Sequence, residues 1–188
     1  MNPSIEITEF FHLNLLQQIS RRLSGRPYAV KGGICLRFFH RSPRLSQDMD
    51  LDVDPRVGVR TLQNAVDSIL EGRPLLAALA PGGVVRLRSS RPKQTETTQR
   101  WKIAMDMGTG TEAGVSLPTR LEFSRCRGEI PASSGIPDAS LLSRHRMAPF
   151  AARFYDAVAM AAQKISALAA PARHAARDLF DLHHLLRV

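Results

Sequence analysis

Apolar residues at helical spacing open the chain. In residues 5–23 they recur three or four positions apart, which predicts an amphipathic helix that packs on a core. The sequence Ser-Gly-Arg-Pro at 24–27 then ends that helix. The same spacing predicts further helices at residues 57–70 and 75–79.

Strand patterns occupy much of the first two thirds of the chain. β-Branched or aromatic residues, or a strict alternation of apolar and polar positions, mark five segments. These predicted strands are residues 28–30, 48–54, 84–88, 95–107 and 116–125. Turns are predicted at Pro55 and at the glycine-containing segments 81–83 and 108–110.

The last third of the chain has a different composition. Prolines, serines and glycine dominate residues 128–149, which predicts a linker. Two helices are predicted beyond it, at 150–168 and 172–186, because apolar residues recur at helical spacing on both sides of Pro171.

The order of these elements predicts an α+β fold, in which a small mixed β-sheet carries flanking helices. A chain of 188 residues is long enough for one well-packed domain or for two compact parts that share a site. We divide it into a core with the N-terminal helix at residues 1–127, the linker at 128–149 and a C-terminal helical lobe at 150–188.

An acidic strand is the most unusual feature of the sequence. The run DMDLDVD at residues 48–54 alternates acidic and apolar residues. A strand would therefore point its four aspartates to one face and its apolar residues to the other. Four like charges on one face repel each other unless a cation lies among them. Carboxylate oxygens at this spacing suit Mg²⁺ bound together with substrate phosphates.

A glycine pair precedes the acidic strand. Gly32-Gly33 follows the short strand at 28–30, and residues 34–40 begin a helix. Two glycines allow a sharp turn and a close approach of a ligand to the backbone. The free N–H groups and the positive dipole end of the following helix favour an anion. A phosphate-binding turn followed by a carboxylate-bearing strand is typical of a nucleotidyl-transfer site.

At these residues the chain resembles a known family. The segment KGGICLRFFHRSPRLSQDMDLDV is similar to the K-G-G-[ST]-x-L-x(7)-R-x-S-x-D-[IML]-D block of the AbiEii nucleotidyltransferase toxins, which include the mycobacterial MenT enzymes. The positions that match, without insertion, are Lys31, Gly32, Gly33, Leu36, Arg44, Ser46, Asp48 and Asp50. The chain departs from the block at Ile34, where the family has a serine or threonine whose hydroxyl helps to hold a phosphate.

A second block near the C-terminus extends the resemblance. The sequence AQKISAL at residues 162–168, followed by RDLFDL at 177–182, is similar to the [EA]-x-K-x-x-A-L … R-D-[LI]-[YF]-D-L block that closes the AbiEii-type domain. Lys164 lies on an otherwise apolar helix, where a phosphate or a carboxylate would satisfy its charge. In the related toxins an acid of this block is essential beside the lysine. We assign that role to Asp178, with Asp181 as the second choice.

Three other residues of this last helix have simpler interpretations. Arg177 and Asp181 have the i,i+4 spacing of an ion pair. His183 and His184 have no carboxylate or cysteine partner at metal-binding spacing, so we interpret them as surface or packing residues.

The resemblance implies a carboxylate site for Mg²⁺. Asp48 and Asp50 would hold the ion together with a third carboxylate, which in this fold class lies on a neighbouring strand between two large apolar residues. Glu122, in the sequence Leu-Glu-Phe, fits this description. Asp106, in the sequence Met-Asp-Met, is the alternative.

The resemblance also implies a nucleotide-binding set and a reaction. An NTP would be bound by residues of the first block: Lys31, Gly32, Gly33, Arg44 and Ser46. Lys164 would neutralise charge on the leaving pyrophosphate. The protein would transfer a nucleotide to an acceptor, the 3′ end of a tRNA, and an antitoxin from the same operon would neutralise it. Two alternatives remain open: a degenerate relative that binds RNA or protein without catalysis, which Ile34 suggests, and a transferase that modifies a protein.

Composition adds the expected partner and compartment. The formal net charge of +9 favours a phosphate-rich partner such as RNA. The arginines expected to contact RNA are Arg37, Arg41, Arg44, Arg144 and Arg146. Cys35 and Cys126 lack the spacing of a zinc site or a disulfide framework. The N-terminus does not resemble a signal peptide and no apolar run approaches the length of a membrane span, so we expect a cytoplasmic protein with no membrane partner.

Overall fold

The computed structural model describes residues 3–25, 27–108, 114–126, 130–170 and 176–187. The helices are α1 (Pro3–Arg22), α2 (Gly32–Phe39), α3 (Val59–Leu70), α4 (Arg73–Leu79), α5 (Ala139–Arg144), α6 (Ala157–Ala169) and α7 (Ala176–Leu185). The strands are β1 (Tyr28–Lys31), β2 (Asp48–Val53), β3 (Val84–Gln94), β4 (Thr98–Met107), β5 (Ser116–Arg125), β6 (Ala132–Gly135) and β7 (Ala152–Tyr155). A 3₁₀ turn, Ala80–Gly82, follows α4.

The strands form one mixed sheet in the order β3-β4-β5-β2-β1-β7-β6. Strands β3, β4 and β5 pair antiparallel, β2 runs parallel to β5, and β1 runs antiparallel to β2. Strand β7 adds to β1 in parallel, and β6 pairs antiparallel with β7. The predicted α+β fold with a mixed sheet and flanking helices is confirmed.

Alternation along the central strands creates the core. Met49, Leu51 and Val53 of β2 are completely buried, and Trp101 of β4 and Phe123 of β5 are as well. Burying each such side chain stabilises the fold by about 1.5–3 kcal/mol relative to leaving it exposed. Helices α1, α3 and α4 supply much of the apolar cover of this face. The polar residues of the same strands therefore point to the opposite face, where the candidate site lies.

One sequence prediction was wrong for the segment before α6. Residues 152–155 form strand β7, so the helix predicted at 150–168 begins only at Ala157. The helix starts there because the Asp156 carboxylate accepts a hydrogen bond from the Ala159 N–H at 2.8 Å, which caps its first turn. Pairing of Phe154 with Val30 in the parallel sheet favours the extended conformation just before it.

The segment predicted as a linker contains regular structure. Strand β6 extends the sheet, and helix α5 begins at a cap formed by Asp138, whose side chain accepts hydrogen bonds from the N–H groups of Ser140 and Leu141. The Asp138 N–H also donates to the Phe38 carbonyl at 2.7 Å, which ties the segment to the end of α2. The division into core, linker and lobe stays a prediction.

Other boundaries differ by a few residues. Helix α2 begins at Gly32, earlier than the predicted residue 34, and β3 continues to Gln94 instead of residue 88. The predicted break at Pro171 and most of the turn at 108–110 lie outside the described residues. Within the described part of the chain, no helix has both the length and the apolar character needed to cross a membrane.

Candidate active site

The glycine pair forms the turn that joins β1 to α2. Gly32 has a φ of +68°, in the left-handed region that residues with a side chain rarely adopt. A Cβ atom on Gly32 would lie 3.0 Å from an Asp50 carboxylate oxygen. A Cβ atom on Gly33 would lie 2.8 Å from Ser46 Oγ and 2.9 Å from the Arg44 guanidinium. The pair therefore lets the helix N-terminus approach the acidic strand closely.

Three carboxylates lie on the same face of two neighbouring strands. Asp48 and Asp50 alternate along β2, and Glu122 on β5 stands directly opposite Asp50 in the parallel register. Asp48 forms an ion pair with Arg120 at 2.8 Å, and Glu122 forms one with Arg100 at 2.6 Å. No side chain in the described part of the chain forms an ion pair or hydrogen bond with the Asp50 carboxylate.

The environment of Asp50 opposes its ionisation. Burial raises the pKa of the Asp50 carboxyl, and the nearby carboxylates of Glu122 and Asp48 raise it further. The positive charges of Arg120 and Lys31 lower that pKa, but the net shift is upward. A cation bound at Asp50 would remove this cost.

Asp52 and Asp54 have partners of their own. Asp52 is buried and accepts hydrogen bonds from Lys31 Nζ at 2.6 Å and from the Tyr155 hydroxyl at 2.8 Å. Asp54 lies just beyond the end of β2, where the backbone and side chain of Arg56 bind its carboxylate. The structure therefore does not gather all four aspartates around one cation: Asp48 and Asp50 lie on the face beside Glu122, whereas Asp52 and Asp54 are bound by other side chains.

The two candidates for the third carboxylate lie at different places in the sheet. Glu122 is next to Asp50, whereas Asp106 stands opposite Ser116 near the far end of β5. Arg88 binds Asp106 through two hydrogen bonds of 2.8 Å. The structure thus brings Glu122, and not Asp106, beside the paired aspartates.

The chemistry of the carboxylates fits Mg²⁺, although their present contacts are to arginines. Among the described residues, no three His, Cys, Asp or Glu side chains are already arranged as a metal site. Mg²⁺ usually takes only one or two carboxylates from the protein and its other oxygens from water and substrate phosphates. Asp50, which has no cationic hydrogen-bond partner among the described residues, together with Asp48 or Glu122 meets that requirement.

A second charged cluster joins the C-terminal helices to the core. Lys164 on α6 contacts Asp178 at 2.7 Å and Asp181 at 2.6 Å, both on α7. Arg44 forms two hydrogen bonds with Asp181, at 2.7 and 2.8 Å. The exposed fractions of Lys164, Asp178 and Asp181 are 9%, 1% and 0%. We call these four residues the buried charge network.

The network corrects one expectation and agrees with another. Asp181 pairs with Arg44 and Lys164, so the ion pair expected between Asp181 and Arg177 is absent from the described contacts, and Arg177 is exposed. The charge of Lys164 is satisfied by the two aspartates. Ser46, another residue of the first block, donates to the Asp48 carbonyl at 3.0 Å and so supports the start of β2.

The departure at Ile34 has a structural explanation. The Ile34 side chain is 2% exposed and belongs to the apolar core. It therefore stabilises the packing of α2 against the sheet. His184 likewise has a packing role, because its Nε2 contacts the His40 carbonyl at 2.7 Å, while His183 is exposed.

The arginines expected to contact RNA are dispersed. Arg37 binds the buried Glu9 of α1 at 2.6 Å, and Arg41 pairs with Asp138 at 3.0 Å. Arg144 and Arg146 line a cleft near the start of α1 that none of the three candidate carboxylates lines. These residues do not form one surface beside Asp50.

Sequence reasoning missed two arginines that contact the candidate carboxylates and a tyrosine that binds the neighbouring Asp52. Arg100 and Arg120 lie on predicted strands, and their alternation with buried residues places them on the same face as Glu122. That signal was present in the sequence. Tyr155 could not be found in this way because it lay within a predicted helix.

Solved structures with a similar fold include three bacterial proteins. MenT4, a nucleotidyltransferase toxin from Mycobacterium tuberculosis H37Rv, superposes with a TM-score of 0.67 at 16% identity, over 100% of this chain and 61% of that one. JHP933 from Helicobacter pylori gives a TM-score of 0.57 at 20% identity, over 94% of this chain and 65% of that one. A putative nucleotidyltransferase from H. pylori gives 0.55 at 19% identity, over 94% and 67%. The chain thus spans about two thirds or less of the length of these proteins.

No curated protein matches the sequence. Residues 14–187 match the family described as nucleotidyl transferase AbiEii toxin, type IV toxin–antitoxin system. This match includes the glycine turn, the acidic strand, Glu122 and the buried charge network. Because it extends over nearly the whole chain, the protein belongs to the AbiEii family of nucleotidyltransferase toxins.

Proposed function

We propose that the protein transfers a nucleotide from an NTP to the 3′ end of a tRNA in a Mg²⁺-dependent reaction that releases pyrophosphate. The observation that carries this proposal is the position of Asp50. Its carboxylate lies against the Gly32 turn and beside Glu122, without a cationic hydrogen-bond partner among the described residues. A phosphate-bearing ligand with its metal ion is the kind of group that satisfies both a helix N-terminus and an unpaired carboxylate.

Asp48, Asp50 and Glu122 are the residues that would hold Mg²⁺. When bound, the ion supplies charge neutralisation of the triphosphate and activation of the attacking hydroxyl. Arg120 and Arg100 now neutralise Asp48 and Glu122. In the substrate complex, Asp48 and Glu122 would hold the ion. The guanidinium groups of Arg120 and Arg100 would then be available to bind anionic oxygens.

The N-terminus of α2 would bind the triphosphate. The backbone N–H groups after Gly32 are free donors at a positive dipole end, and the absence of side chains at Gly32 and Gly33 leaves them accessible. Lys31 lies at the same turn and contacts the Asp52 carboxylate. Its positive charge also partly offsets the upward shift in the pKa of the Asp50 carboxyl. It would orient the phosphates while remaining bound to Asp52.

Lys164 and Asp178 would contribute from the buried charge network. Lys164 would offset the negative charge of the leaving pyrophosphate, and Asp178 would fix the direction of its ammonium group through the 2.7 Å contact. The Arg44 guanidinium lies next to Gly33 and binds the Asp181 carboxylate. The network would therefore hold the phosphate-binding turn and the C-terminal helices in one arrangement.

A transfer assay tests the proposal directly. The purified protein is incubated with Mg²⁺, total tRNA and each labelled NTP in turn, with EDTA in a parallel reaction. We expect label at the tRNA 3′ end and none with EDTA. Transfer to the 3′ end also requires an intact terminal ribose, so periodate-oxidised tRNA should accept no label. Label in the protein fraction, or label in oxidised tRNA, would contradict the proposed acceptor.

Toxicity gives an independent check in cells. We propose that expression without a cognate antitoxin slows growth of the host and that the Asp48→Ala variant is harmless. Growth inhibition that persists in this variant, at equal protein level, would favour binding without catalysis.

A further inference from the structure

The polar face of strands β3, β4 and β5 carries an unusual concentration of positive charge. The alternation that buries Trp101 and Phe123 turns the even-numbered residues of β4 and β5 to the opposite side, and the register turns Arg86, Arg88 and Ser90 of β3 to that side as well. The basic residues among these are Arg86, Arg88, Arg100, Lys102 and Arg120. We call them the basic strand face.

This face is open and adjoins the site. A cleft of about 580 Å³ lies over it, and Asp48 lines the same cleft as Arg88, Lys102 and Arg120. The exposed residue Pro118 also lines the cleft, so an apolar side chain lies beside the charges. Such a combination suits a nucleic-acid strand, which has anionic phosphates and apolar base faces.

Two of the positive charges stand directly opposite each other. Lys102 on β4 is the register partner of Arg120 on β5, and Arg120 is in turn the register partner of Asp48 on β2. Like charges at directly opposed positions destabilise a sheet unless an anion lies nearby. Asp48 supplies one anion, and its ion pair among the described residues is with Arg120.

Lys102 and Arg86 have no ion-pair partner in the described part of the chain, and Lys102 is exposed. Arg88 is bound to Asp106 and to the Ser116 hydroxyl. The available charge on this face is therefore concentrated at Arg86, Lys102 and, once Asp48 binds a metal ion, Arg120. Lys102 and Arg120 lie in one row across the sheet with Asp48, whereas Arg86 lies farther along the strands, opposite Asp106.

We propose that the basic strand face binds the phosphate backbone of the acceptor RNA and guides its 3′ end to Asp48 and Asp50. This inference rests on the proposed function for the identity of the acceptor. Lys102 and Arg86 would contact phosphates. When Asp48 holds the metal ion, Arg120 would lose its ion pair with Asp48 and bind the RNA or the nucleotide instead. The surface differs from the arginines at residues 41, 144 and 146, which the sequence alone suggested.

Binding measurements separate this surface from the reaction. Fluorescence anisotropy of a fluorescein-labelled single-stranded RNA, recorded over a range of salt concentrations, gives the affinity and its salt dependence without any transfer. The test variant is Lys102→Glu combined with Arg86→Glu. The control, Arg60→Glu combined with Arg22→Glu, makes an equal change in net charge at exposed positions on helices α3 and α1. Thermal unfolding establishes that both variants are folded.

We expect the test variant to lose at least about tenfold in RNA affinity and the control to lose much less. Removing each phosphate contact should reduce the slope of log affinity against log salt by about 0.7 for single-stranded RNA. Binding of Mg²⁺-NTP, measured by calorimetry, should be the same in both variants.

Each result bears on a different claim. Equal RNA binding by the test and control variants overturns the surface, even if tRNA is labelled in the transfer assay. RNA binding that depends on Lys102 and Arg86 supports the surface, even if no NTP is transferred. A wild-type protein that binds no RNA, or an Arg41→Ala, Arg144→Ala, Arg146→Ala variant that alone loses binding, also overturns it.

Discussion

The two charged clusters of this protein differ in how their charges are balanced. The buried charge network contains two cations and two carboxylates, joined by contacts of 2.6–2.8 Å. The carboxylates at Asp48, Asp50 and Glu122 have two arginine partners for three negative charges. Asp50 is the residue without one among the described contacts.

The difference shows which cluster is electrostatically complete without a ligand. A balanced network away from solvent joins the helices α6 and α7 to the loop after α2 and needs no ligand to be stable. An unbalanced cluster next to a helix N-terminus is stabilised when a cation and an anionic ligand bind. The four predictions below test this contrast, from the largest expected effect to the smallest.

The first prediction removes the unbalanced cluster. Asp48→Ala combined with Asp50→Ala should reduce nucleotide transfer by at least about 10³-fold, because the proposed metal ion loses its principal ligands. The fold should persist, since neither residue belongs to the core. Transfer to tRNA is the measurement, with Glu71→Ala, an exposed acid at the end of α3, as the control. Transfer at the wild-type rate in the double variant would place the site elsewhere.

The second prediction unbalances the buried network. Lys164→Met should lower the free energy of unfolding by about 3–5 kcal/mol, because it removes a buried cation that contacts both Asp178 and Asp181, and Arg44 binds only Asp181 among the described contacts. Adding Asp178→Asn should recover part of that loss, since one buried charge is removed. Chemical denaturation measures both effects.

The same variants separate stability from catalysis. At a temperature where Lys164→Met is folded, turnover should still fall by about 10²–10³-fold, on the scale of one lost electrostatic contact in the transition state. The double variant should regain stability and remain slow. Wild-type turnover in a folded Lys164→Met protein would limit the residue to a structural role.

The third prediction decides between the two candidate third carboxylates. Glu122→Gln should reduce transfer by about 10²-fold, because it weakens the proposed metal site next to Asp50. Asp106→Asn should have a much smaller effect on transfer, since Asp106 is bound by Arg88 away from the paired aspartates. Rates at saturating Mg²⁺-NTP compare the two variants. The reverse order would assign the metal site to Asp106.

The fourth prediction concerns stability and pH. Because the pKa of Asp50 is raised in the folded protein, its ionisation costs stability as pH rises through that pKa, and the cost is absent below the ordinary aspartate pKa of about 3.9. Asp50→Asn should therefore stabilise the metal-free protein at neutral pH by about 1 kcal/mol.

Thermal unfolding in EDTA tests this sign. The expected increase in the melting temperature is about 2–4 °C for a chain of this size, and it should vanish at low pH. Added Mg²⁺ should stabilise the wild type and leave the variant unchanged. A variant that is less stable than the wild type at neutral pH would show that Asp50 is already neutralised within the protein.

The sequence predicted the parts of the fold that depend on local periodicity. The spacing of apolar residues located α1 and α3, and alternation located β2 and β5 within one or two residues. It failed at Ala152–Tyr155, because a segment of four residues has no period that distinguishes a strand from a helix. Only pairing with β1 makes that segment a strand.

The residues of the site divide in the same way. The composition of the two family blocks identified the glycine turn, Asp48, Asp50, Lys164 and Asp178 as candidates, since a left-handed turn and alternating acids leave a signature in neighbouring positions. It could not assign their partners. Lys31 with Asp52, and Arg44 with Asp181, are 21 and 137 residues apart, and no local pattern encodes such a contact.

The sequence by itself therefore determined the family, the fold class and the residues that carry charge. The tertiary structure decided which of these charges cancel. Ion pairing depends on distances of a few ångströms between side chains from different elements, and those distances arise only when the sheet is assembled. For this reason Asp52 and Asp54 are bound by other side chains of the protein, whereas Asp50, in the same acidic run, has no ion-pair or hydrogen-bond partner among the described side chains.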